Sequence, residues 1–262
     1  MSRALRRARA KLLARWYARL ATMLVTTPIV CLNYGYVPLR EGPTLAEITP
    51  LQEPMRHYLQ LYAYVAGAME LAGKDVLEIS CGYGGGADFI NTGWRPQTYV
   101  GLDLIEAPLQ AATRRFSSNG LSFVSGRADS VGLASAAFDA VISVEASHCY
   151  PSISRFLDEV HRLLRPGGKL VLADYRPASA MLELTRQFPQ SGLELVEMVD
   201  ITANVLMSLE ETHAQRSRWI ANYGPLWLRP FMGQLAGVRG SVVYRGFRSG
   251  RMVYRRFLLS RA

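Results

Sequence analysis

Small and acidic residues follow two apolar runs of this sequence at spacings that suit ligand binding. A β-branched run ending at Ile79 breaks into a glycine turn, residues 80–86, and a helix-forming stretch follows it. Glycines between a strand and a helix let a ligand press against bare backbone. Asp103 lies seventeen residues beyond Gly86, at the end of the next apolar run. An ionised Asp there can accept hydrogen bonds from both hydroxyls of a ribose.

Two classes of cofactor fit this pattern. Gly82-x-Gly84-x-x-Ala87 satisfies the dinucleotide fingerprint, and the following helix N-terminus would attract a pyrophosphate. S-adenosylmethionine has no phosphate, and it needs acidic groups as well as close backbone approach. Glu78, four residues before the first glycine, favours this second class because a dinucleotide would bring negative charge of its own. A glycine turn that binds nothing is the remaining alternative.

A loop after a later apolar run carries groups that can move a proton. A buried strand is predicted at 138–144, and Glu145-Ala146-Ser147-His148 follows it. His148 can take a proton near pH 7, and Glu145 could orient its ring. Such a base would assist methylation of an alcohol, because a hydroxyl is a poor nucleophile until it loses its proton. A structural histidine is the alternative, and Asp174, after the next strand, is a reserve candidate for contacting substrate.

A third acidic residue follows the strand predicted at 121–125. The carboxyl ends of strands converge on the ligand crevice of a doubly wound sheet, so Asp129 is placed to accept from an adenine amine. It could instead cap a short helix beginning near Val131.

The elements that must position these residues alternate between strand and helix, which is typical of a parallel sheet with covered faces. We predict the α/β class: a Rossmann-like, doubly wound, seven-stranded sheet whose last strand is antiparallel, with N-terminal helices and a helical cap before that strand. Strands are predicted at 75–80, 98–103, 121–125, 138–144, 168–174, 193–199 and 251–259, and helices at 51–71, 85–92, 105–117, 152–164, 177–188 and 203–222.

The predicted domains follow from this order of elements. Residues 1–71 form N-terminal helices or a lid, 72–200 the cofactor-binding core, 201–250 a substrate cap, and 251–262 the last core strand. The insertion before the last strand exceeds an ordinary connection. Its large side chains suit either an apolar acceptor pocket or the insertion's own core; they are Trp219, Tyr223, Trp227, Phe231 and Met232.

Charge is distributed unevenly along the chain. Residues 1–40 hold eight Lys and Arg and no acid, residues 212–262 hold ten Arg and no acid, and residues 41–211 carry a net charge of −9. The basic ends could contact an anionic membrane surface, a nucleic acid or a neighbouring subunit, or could be ordinary solvated faces. An amphipathic helix predicted at 3–24 is expected to pack on protein, with membrane contact less favoured and a homo-oligomer possible through it.

Composition restricts the setting. No apolar run is long and clean enough to span a bilayer. Three cysteines do not make a disulfide framework or a metal site, so we predict no metal and a reducing cytoplasm.

Several motifs together resemble a known family. The glycine turn resembles the Glu-x-Gly-x-Gly-x-Gly motif of class I methyltransferases, with Ser80 in place of the first Gly. Residues 30–260 are similar to the mycobacterial phthiotriolone dimycocerosate methyltransferases and to actinobacterial secondary-metabolite methyltransferases of the teleocidin type. The segments that carry this likeness are 32–36, 82–86, 101–104, 144–151 and 164–168, and the run 144–151 is the most specific. A departure occurs at Arg127-Ala128-Asp129-Ser130, where the family usually has Gly-Asp-Ala-Glu.

The resemblance implies S-adenosylmethionine as methyl donor and a hydrophobic lipid, polyketide or terpenoid-like acceptor from secondary metabolism. Tyr36 would close over the methionine end of the cofactor. Further cofactor contacts are implied at Glu78, Ser80, Gly82, Gly84, Asp103, Leu104, Asp129 and Val144.

We therefore predict an O-methyltransferase with His148 as general base and Glu145 beside it. A C-methyltransferase, possibly coupled to cyclisation, is the alternative, and a nicotinamide-dependent oxidoreductase ranks below both. No nucleic-acid substrate is expected, because base-amine methyltransferases generally carry an (Asp/Asn/Ser)-Pro-Pro-aromatic loop where this chain has Glu-Ala-Ser-His.

Overall fold

A computed structural model describes residues 21–23, 25–39 and 47–262 of the chain. The amphipathic helix predicted at 3–24 lies almost entirely outside the described residues, and so do the membrane contact and self-association expected of it. Among the helices that the structure describes, none has the length and apolarity that a bilayer crossing requires.

One seven-stranded sheet organises the described chain, in the order β3-β2-β1-β4-β5-β7-β6. Strands β1 to β5 pair in parallel, and β7 pairs antiparallel with both β5 and β6. The predicted doubly wound sheet with an antiparallel last strand is therefore confirmed. The strands are β1 Asp75–Ile79, β2 Thr98–Asp103, β3 Leu121–Ser125, β4 Phe138–Val144, β5 Leu164–Pro177, β6 Leu193–Asp200 and β7 Met252–Arg261.

Helices cover both faces of this sheet. They are α1 Arg56–Ala66, α2 Gly85–Trp94, α3 Glu106–Arg115, α4 Ile153–Leu163, α5 Ala178–Thr185, α6 Thr202–Glu211, α7 His213–Tyr223, α8 Arg229–Leu235 and α9 Val242–Arg248.

Two apolar cores lie on opposite faces of the sheet because side chains alternate along its strands. On β5, Val171 and Ala173 enter the core beneath α1 and α6, whereas Leu170 and Leu172 enter the core beneath α4 and α5. Both faces are therefore buried. The strands can therefore present functional groups to a ligand at the carboxyl edge of the sheet.

Three local predictions differ from the structure. The helix predicted at 203–222 is interrupted at Thr212, whose hydroxyl donates to the Ser208 carbonyl and competes with the helical backbone. The strand predicted at 168–174 is longer, because β5 runs from Leu164 to Pro177 with an irregularity in its pairing with β4. No helix begins near Val131.

A covering segment, residues 29–37, crosses the carboxyl edge of the sheet. The Gly85 amide donates to the Val30 carbonyl at 3.2 Å, and the Tyr36 amide donates to the His57 carbonyl at 2.9 Å. The cap, which consists of α6 to α9, follows β6 and holds the other side of this segment through Val37 and Asn204. The division into functional domains stays a prediction.

Candidate active site

The glycine turn joins β1 to α2 through backbone conformations that favour glycine. Ser80, Gly82 and Gly84 have φ angles of 69°, 56° and 77°. Ser80 adopts a conformation that costs a non-glycine residue about 1–3 kcal/mol, and its hydroxyl lies 3.0 Å from the Tyr150 hydroxyl. A Cβ added at Gly82 would meet no atom within 4 Å, so the backbone there borders open space.

Asp103 anchors this turn. The amides of Gly82 and Ile105 donate to its two carboxylate oxygens, both at 2.9 Å. Burial raises the pKa of Asp103, although the backbone amides act in the opposite direction. Each oxygen retains a lone pair that can accept from a ligand hydroxyl.

Leu104, the next residue, exposes 62 % of its surface beside that carboxylate. An exposed apolar side chain, open space at Gly82 and spare acceptor capacity on Asp103 together fit the adenine and ribose of S-adenosylmethionine.

Glu78 lies beneath the glycine turn, and its predicted contact with the cofactor stays a prediction. Its carboxylate is fully buried and accepts from the hydroxyls of Tyr62 on α1 and Tyr99 on β2, at 3.0 and 2.9 Å. Burial raises the pKa of Glu78 to about 7, and the two tyrosine hydroxyls lower it. The residue thus ties α1 to the sheet beneath the glycine turn.

Asp129 is buried and forms an ion pair with Arg127, whose guanidinium nitrogens lie 2.9–3.1 Å from its oxygens. The alternative role as a helix cap is not observed, because the Val131 amide donates to Glu159 instead, at 2.8 Å. An adenine amine at Asp129 would share the carboxylate with Arg127.

The loop after β4 begins with a change of direction. Val144 is buried at the strand end, and Glu145 adopts a positive φ of 50°. The Glu145 carboxylate accepts from the Tyr34 amide at 2.7 Å and not from His148, so the expected orientation of the ring by Glu145 is wrong. Burial raises the pKa of Glu145 to about 8, while the Tyr34 amide and the charge of Arg216 lower it.

Asp174 orients the His148 ring instead. Its Oδ1 lies 2.7 Å from His148 Nδ1, and its other oxygen accepts from the Ser147 hydroxyl. The sheet explains this pairing: Val144 of β4 lies opposite Ala173 of β5, so the loop after β4 meets the residue after Ala173. Sequence reasoning kept Asp174 in reserve, because only the adjacency of β4 and β5 joins it to His148.

The two charges stabilise one another. Burial alone would lower the pKa of His148, but the charge and hydrogen bond of Asp174 hold that pKa well above its ordinary value. Burial alone would raise the pKa of Asp174, but His148, Arg176 and Ser147 lower it. Asp174 is fully buried, whereas the His148 side chain is 26 % exposed. The imidazole is therefore the member of the pair that can meet a substrate.

Aromatic rings from three regions surround this imidazole. The Tyr175 ring lies 4.5 Å from His148, and the rings of Tyr34 and Phe247 lie 5.0 and 6.0 Å from Tyr175. Tyr34 belongs to the covering segment, Tyr175 to β5 and Phe247 to the cap. Their rings make an apolar wall beside the titratable pair.

Tyr36 lies away from the glycine turn. The rings of Tyr36 and Tyr64 are stacked with their centres 4.4 Å apart. The guanidinium of Arg256, on β7, lies 4.9 Å from the centre of the Tyr64 ring. In the sheet, β7 is three strand positions from β1. At the usual spacing between neighbouring strands, the two strands lie roughly 14 Å apart. Val30 of the covering segment contacts the glycine turn in this structure, and closure of Tyr36 over the methionine end of the cofactor stays a prediction.

The large side chains predicted for an acceptor pocket or for the insertion's own core are partly buried and partly exposed. Met232 is buried with Ile29 and Tyr83, and Trp219 packs against the same cluster and also stacks on Tyr58 at 5.7 Å. The other members of that set are exposed at the cap surface, namely Tyr223, Trp227 and Phe231.

Comparison with known proteins adds to this geometry. Residues 77–172 match the family described as a methyltransferase domain. The chain is 37 % identical to the phthiotriol/phenolphthiotriol dimycocerosates methyltransferase of Mycobacterium leprae, over 92 % of this chain and 89 % of that protein. It is 36 % identical to the fatty-acid O-methyltransferase of Mycolicibacterium smegmatis, over 75 % of this chain and 76 % of that protein.

A solved structure shares the fold. Geranyl diphosphate methyltransferase, in complex with GPP and sinefungin, superposes with a TM-score of 0.69 over 97 % of this chain and 99 % of that chain. Its sequence identity is 16 %, so this likeness concerns the fold alone.

Proposed function

The chain belongs to the family of S-adenosylmethionine-dependent methyltransferases that includes the phthiotriol/phenolphthiotriol dimycocerosates methyltransferases, and on that premise we propose that it methylates a hydroxyl oxygen of a lipid-like acceptor. His148 is the general base in this proposal. The names of the relatives support a lipid-like acceptor, and one of them names transfer to oxygen.

The observation that carries the proposal is the pairing of His148 with buried Asp174 at 2.7 Å, beside an aromatic wall. An ionised carboxylate at Nδ1 keeps the ring proton there, which makes Nε2 the nitrogen that receives a proton from substrate. Asp174 then stabilises the imidazolium that forms.

S-adenosylmethionine supplies an electrophilic methyl group when it is bound. The backbone at Gly82, the Asp103 carboxylate and the Leu104 side chain are the groups that would hold its adenosyl part. The covering segment and the buried side of the cap, where Phe247 lies beside Tyr175, exclude water and align the acceptor. His148 would take the hydroxyl proton as the acceptor oxygen replaces the donor sulfur on the methyl carbon, and S-adenosylhomocysteine would leave.

The acceptor class can be tested by incubating the full chain with labelled S-adenosylmethionine and two compounds of equal chain length. One compound is a long-chain secondary alcohol and the other is a fatty acid. The expected product is the methyl ether of the alcohol, identified by mass spectrometry. A product methylated at carbon, or no transfer to either compound, would contradict the proposal.

His148→Ala is expected to lower turnover of the alcohol by about 10²–10⁴ while the affinity for S-adenosylhomocysteine is kept. The fatty acid is ionised at neutral pH and needs no base, so any methylation of the fatty acid should fall much less. His161→Ala on α4 is the matched control and should leave both rates unchanged. Unaltered turnover of the alcohol by His148→Ala would reject the role.

We infer a cytoplasmic setting on chemical grounds. Cys31, Cys81 and Cys149 are all free thiols, and free thiols persist in a reducing compartment.

A further inference from the structure

The cap exposes an apolar surface that the proposed reaction does not use. Phe231 and Leu235 lie one turn apart on α8 and expose 39 % and 37 % of their surface. Val242, 65 % exposed, lies beside them because its amide donates to the Gln234 side chain at 2.9 Å. Leu226, 77 % exposed, precedes α8 by three residues. We name Leu226, Phe231, Leu235 and Val242 the cap patch.

Arginines border the cap patch. Arg229 and Arg239 line a depression of 340 Å³ whose wall also includes Gln234, the neighbour of Val242. Arg245 is exposed and follows Val242 by one helical turn on α9. The segment 226–248, which forms this surface, contains four Arg and no acidic residue, namely Arg229, Arg239, Arg245 and Arg248.

The cap patch is also close to the reaction site. The Leu235 carbonyl accepts from the Tyr34 hydroxyl at 3.0 Å, and that hydroxyl lies 3.4 Å from the hydroxyl of Tyr175. The Tyr175 ring lies 4.5 Å from the His148 ring. Two side chains, Tyr34 and Tyr175, therefore separate the patch from the imidazole.

We propose that the cap patch docks on an anionic phospholipid bilayer and that the acceptor enters the active site from the bilayer past Tyr34. Exposed apolar side chains enter the boundary between headgroups and acyl chains, and arginines at their rim attract anionic headgroups. The docking follows from the surface itself, whereas the route of entry rests on the proposed lipid acceptor.

A second copy of the chain suits this surface poorly. A two-fold symmetric contact brings the same patch of each subunit together. It would therefore bring the arginine rims of both copies close to one another, and like charges at close range repel. An anionic bilayer is complementary to the same rim.

Flotation of the full chain with vesicles tests the docking. Vesicles of phosphatidylcholine with phosphatidylglycerol are compared with vesicles of phosphatidylcholine alone, at low and high salt. Binding to the anionic vesicles is expected to be at least about tenfold tighter and to weaken with salt. Equal binding to both vesicles would overturn the proposal.

Two variants locate the contact. The apolar variant Leu226→Ser/Phe231→Ser/Val242→Ser should lose about tenfold or more in affinity for anionic vesicles. The charge variant Arg239→Glu/Arg245→Glu should lose the preference for anionic lipid. The matched control is Leu195→Ser/Val196→Ser, which removes two exposed apolar side chains from β6 and should bind as the parent chain does. Circular dichroism checks the fold of each.

Wild-type binding by both cap variants would assign vesicle contact to another part of the chain and overturn the proposal. A concentration-dependent dimer that both variants abolish, without vesicle binding by the parent chain, would overturn it in favour of self-association.

The route of entry has a separate readout. The apolar variant should slow methylation of an acceptor embedded in vesicles and leave methylation of a short, water-soluble alcohol unchanged. If the apolar variant and the parent chain methylate the embedded acceptor at equal rates, entry from the bilayer is rejected. If neither alcohol is methylated by the parent chain, the proposed reaction fails while the vesicle-binding result still decides the docking.

Discussion

His148 experiences two opposite influences whose balance determines how it can act. Burial disfavours the imidazolium, and the adjacent Asp174 carboxylate favours it strongly enough to raise the pKa well above the ordinary value. The ring is therefore protonated over more of the neutral range than a free histidine. A base must be neutral before it accepts a proton, so activity with an alcohol should increase as pH rises through the raised His148 pKa.

We predict that Asp174→Asn moves the pH profile of kcat to lower pH and lowers its maximum by about 10²–10⁴. Without the carboxylate, burial dominates and lowers the His148 pKa, so the neutral form appears at lower pH. The maximum falls because Asn no longer stabilises the imidazolium or selects the tautomer. The measurement is kcat against pH with a saturating alcohol. An unchanged midpoint in Asp174→Asn would contradict the pairing of His148 with Asp174.

Other titratable and charged groups lie near this pair and require a control. Glu145 after β4 has a pKa raised to about 8 by burial, Arg176 of β5 lies 3.4 Å from Asp174, and Cys149 follows His148 in the chain. Glu145→Gln keeps an oxygen that can accept from the Tyr34 amide and removes the Glu145 titration. Glu145→Gln alone should therefore leave the midpoint of the plot of kcat against pH unchanged.

At the scale of elements, the glycine turn serves both the fold and the ligand. Asp103 links the end of β2 to the Gly82 amide, which aligns the start of α2 with the sheet. The packing around the turn differs from residue to residue: a Cβ at Gly84 would lie 2.8 Å from Ala112 Cβ, while a Cβ at Gly82 would enter open space. Gly84 is thus required by the core, and Gly82 is available to test the crevice.

We predict that Gly82→Ala weakens binding of S-adenosylhomocysteine about 10-fold or more, because its Cβ enters the space in which the ligand meets the backbone. Gly73→Ala is a closely matched control, since Gly73 also has a positive φ, 68°, and also has open space where a Cβ would be added. Both variants should lose about 1–2 kcal/mol of unfolding free energy from backbone strain. Isothermal titration calorimetry gives the affinities and thermal denaturation the stabilities. Equal affinity in both variants would exclude Gly82 from the site.

At the scale of the whole molecule, one buried arginine joins the parts that enclose the site. Arg216 of α7 is 5 % exposed, and its guanidinium donates to the carbonyls of Tyr34 and Ala236, both at 2.8 Å. Its Cζ also lies 5.0 Å from the centre of the Tyr58 ring. The residue thereby connects the cap to the covering segment and to the start of α1. The cap, the covering segment and the start of α1 therefore enclose the site together.

We predict that Arg216→Met loosens the covering segment. Removing the guanidinium takes the Arg216 donor from the partly buried Ala236 carbonyl, and a carbonyl left unpaired by burial costs about 1–3 kcal/mol. The Tyr34 carbonyl loses one of two donors and keeps the Ser208 hydroxyl at 2.8 Å. Amide exchange should increase at residues 29–37, and KM for the alcohol should rise more than kcat falls. The exposed neighbour Arg218→Met is the control and should change neither. Normal exchange in the covering segment of Arg216→Met would contradict the connection.

The strands that bear the site could be predicted closely because they are buried on both faces. The runs at 98–103 and 138–144 have the predicted bounds, since buried apolar stretches between turn signals leave little room for another assignment. The edge strand β3 also has its predicted bounds, 121–125, although none of its residues is buried. The break at Thr212 could not be predicted in the same way. A side-chain hydrogen bond to Ser208 interrupts the helix there, although the apolar spacing continues across it.

The sequence by itself determined the order of strands and helices, the glycine turn with Asp103 after the next strand, and the presence of His148 beyond the fourth strand. These depend on local spacing, which the chain carries directly. Only the tertiary structure decided that His148 pairs with Asp174 and that Glu145 holds Tyr34. These partners are separated by 26 and 111 residues. The register of β4 and β5 brings His148 to Asp174, and the path of the covering segment over the carboxyl edge brings Tyr34 to Glu145. Glu78 illustrates the same limit, because its burial between Tyr62 and Tyr99 results from packing across the sheet.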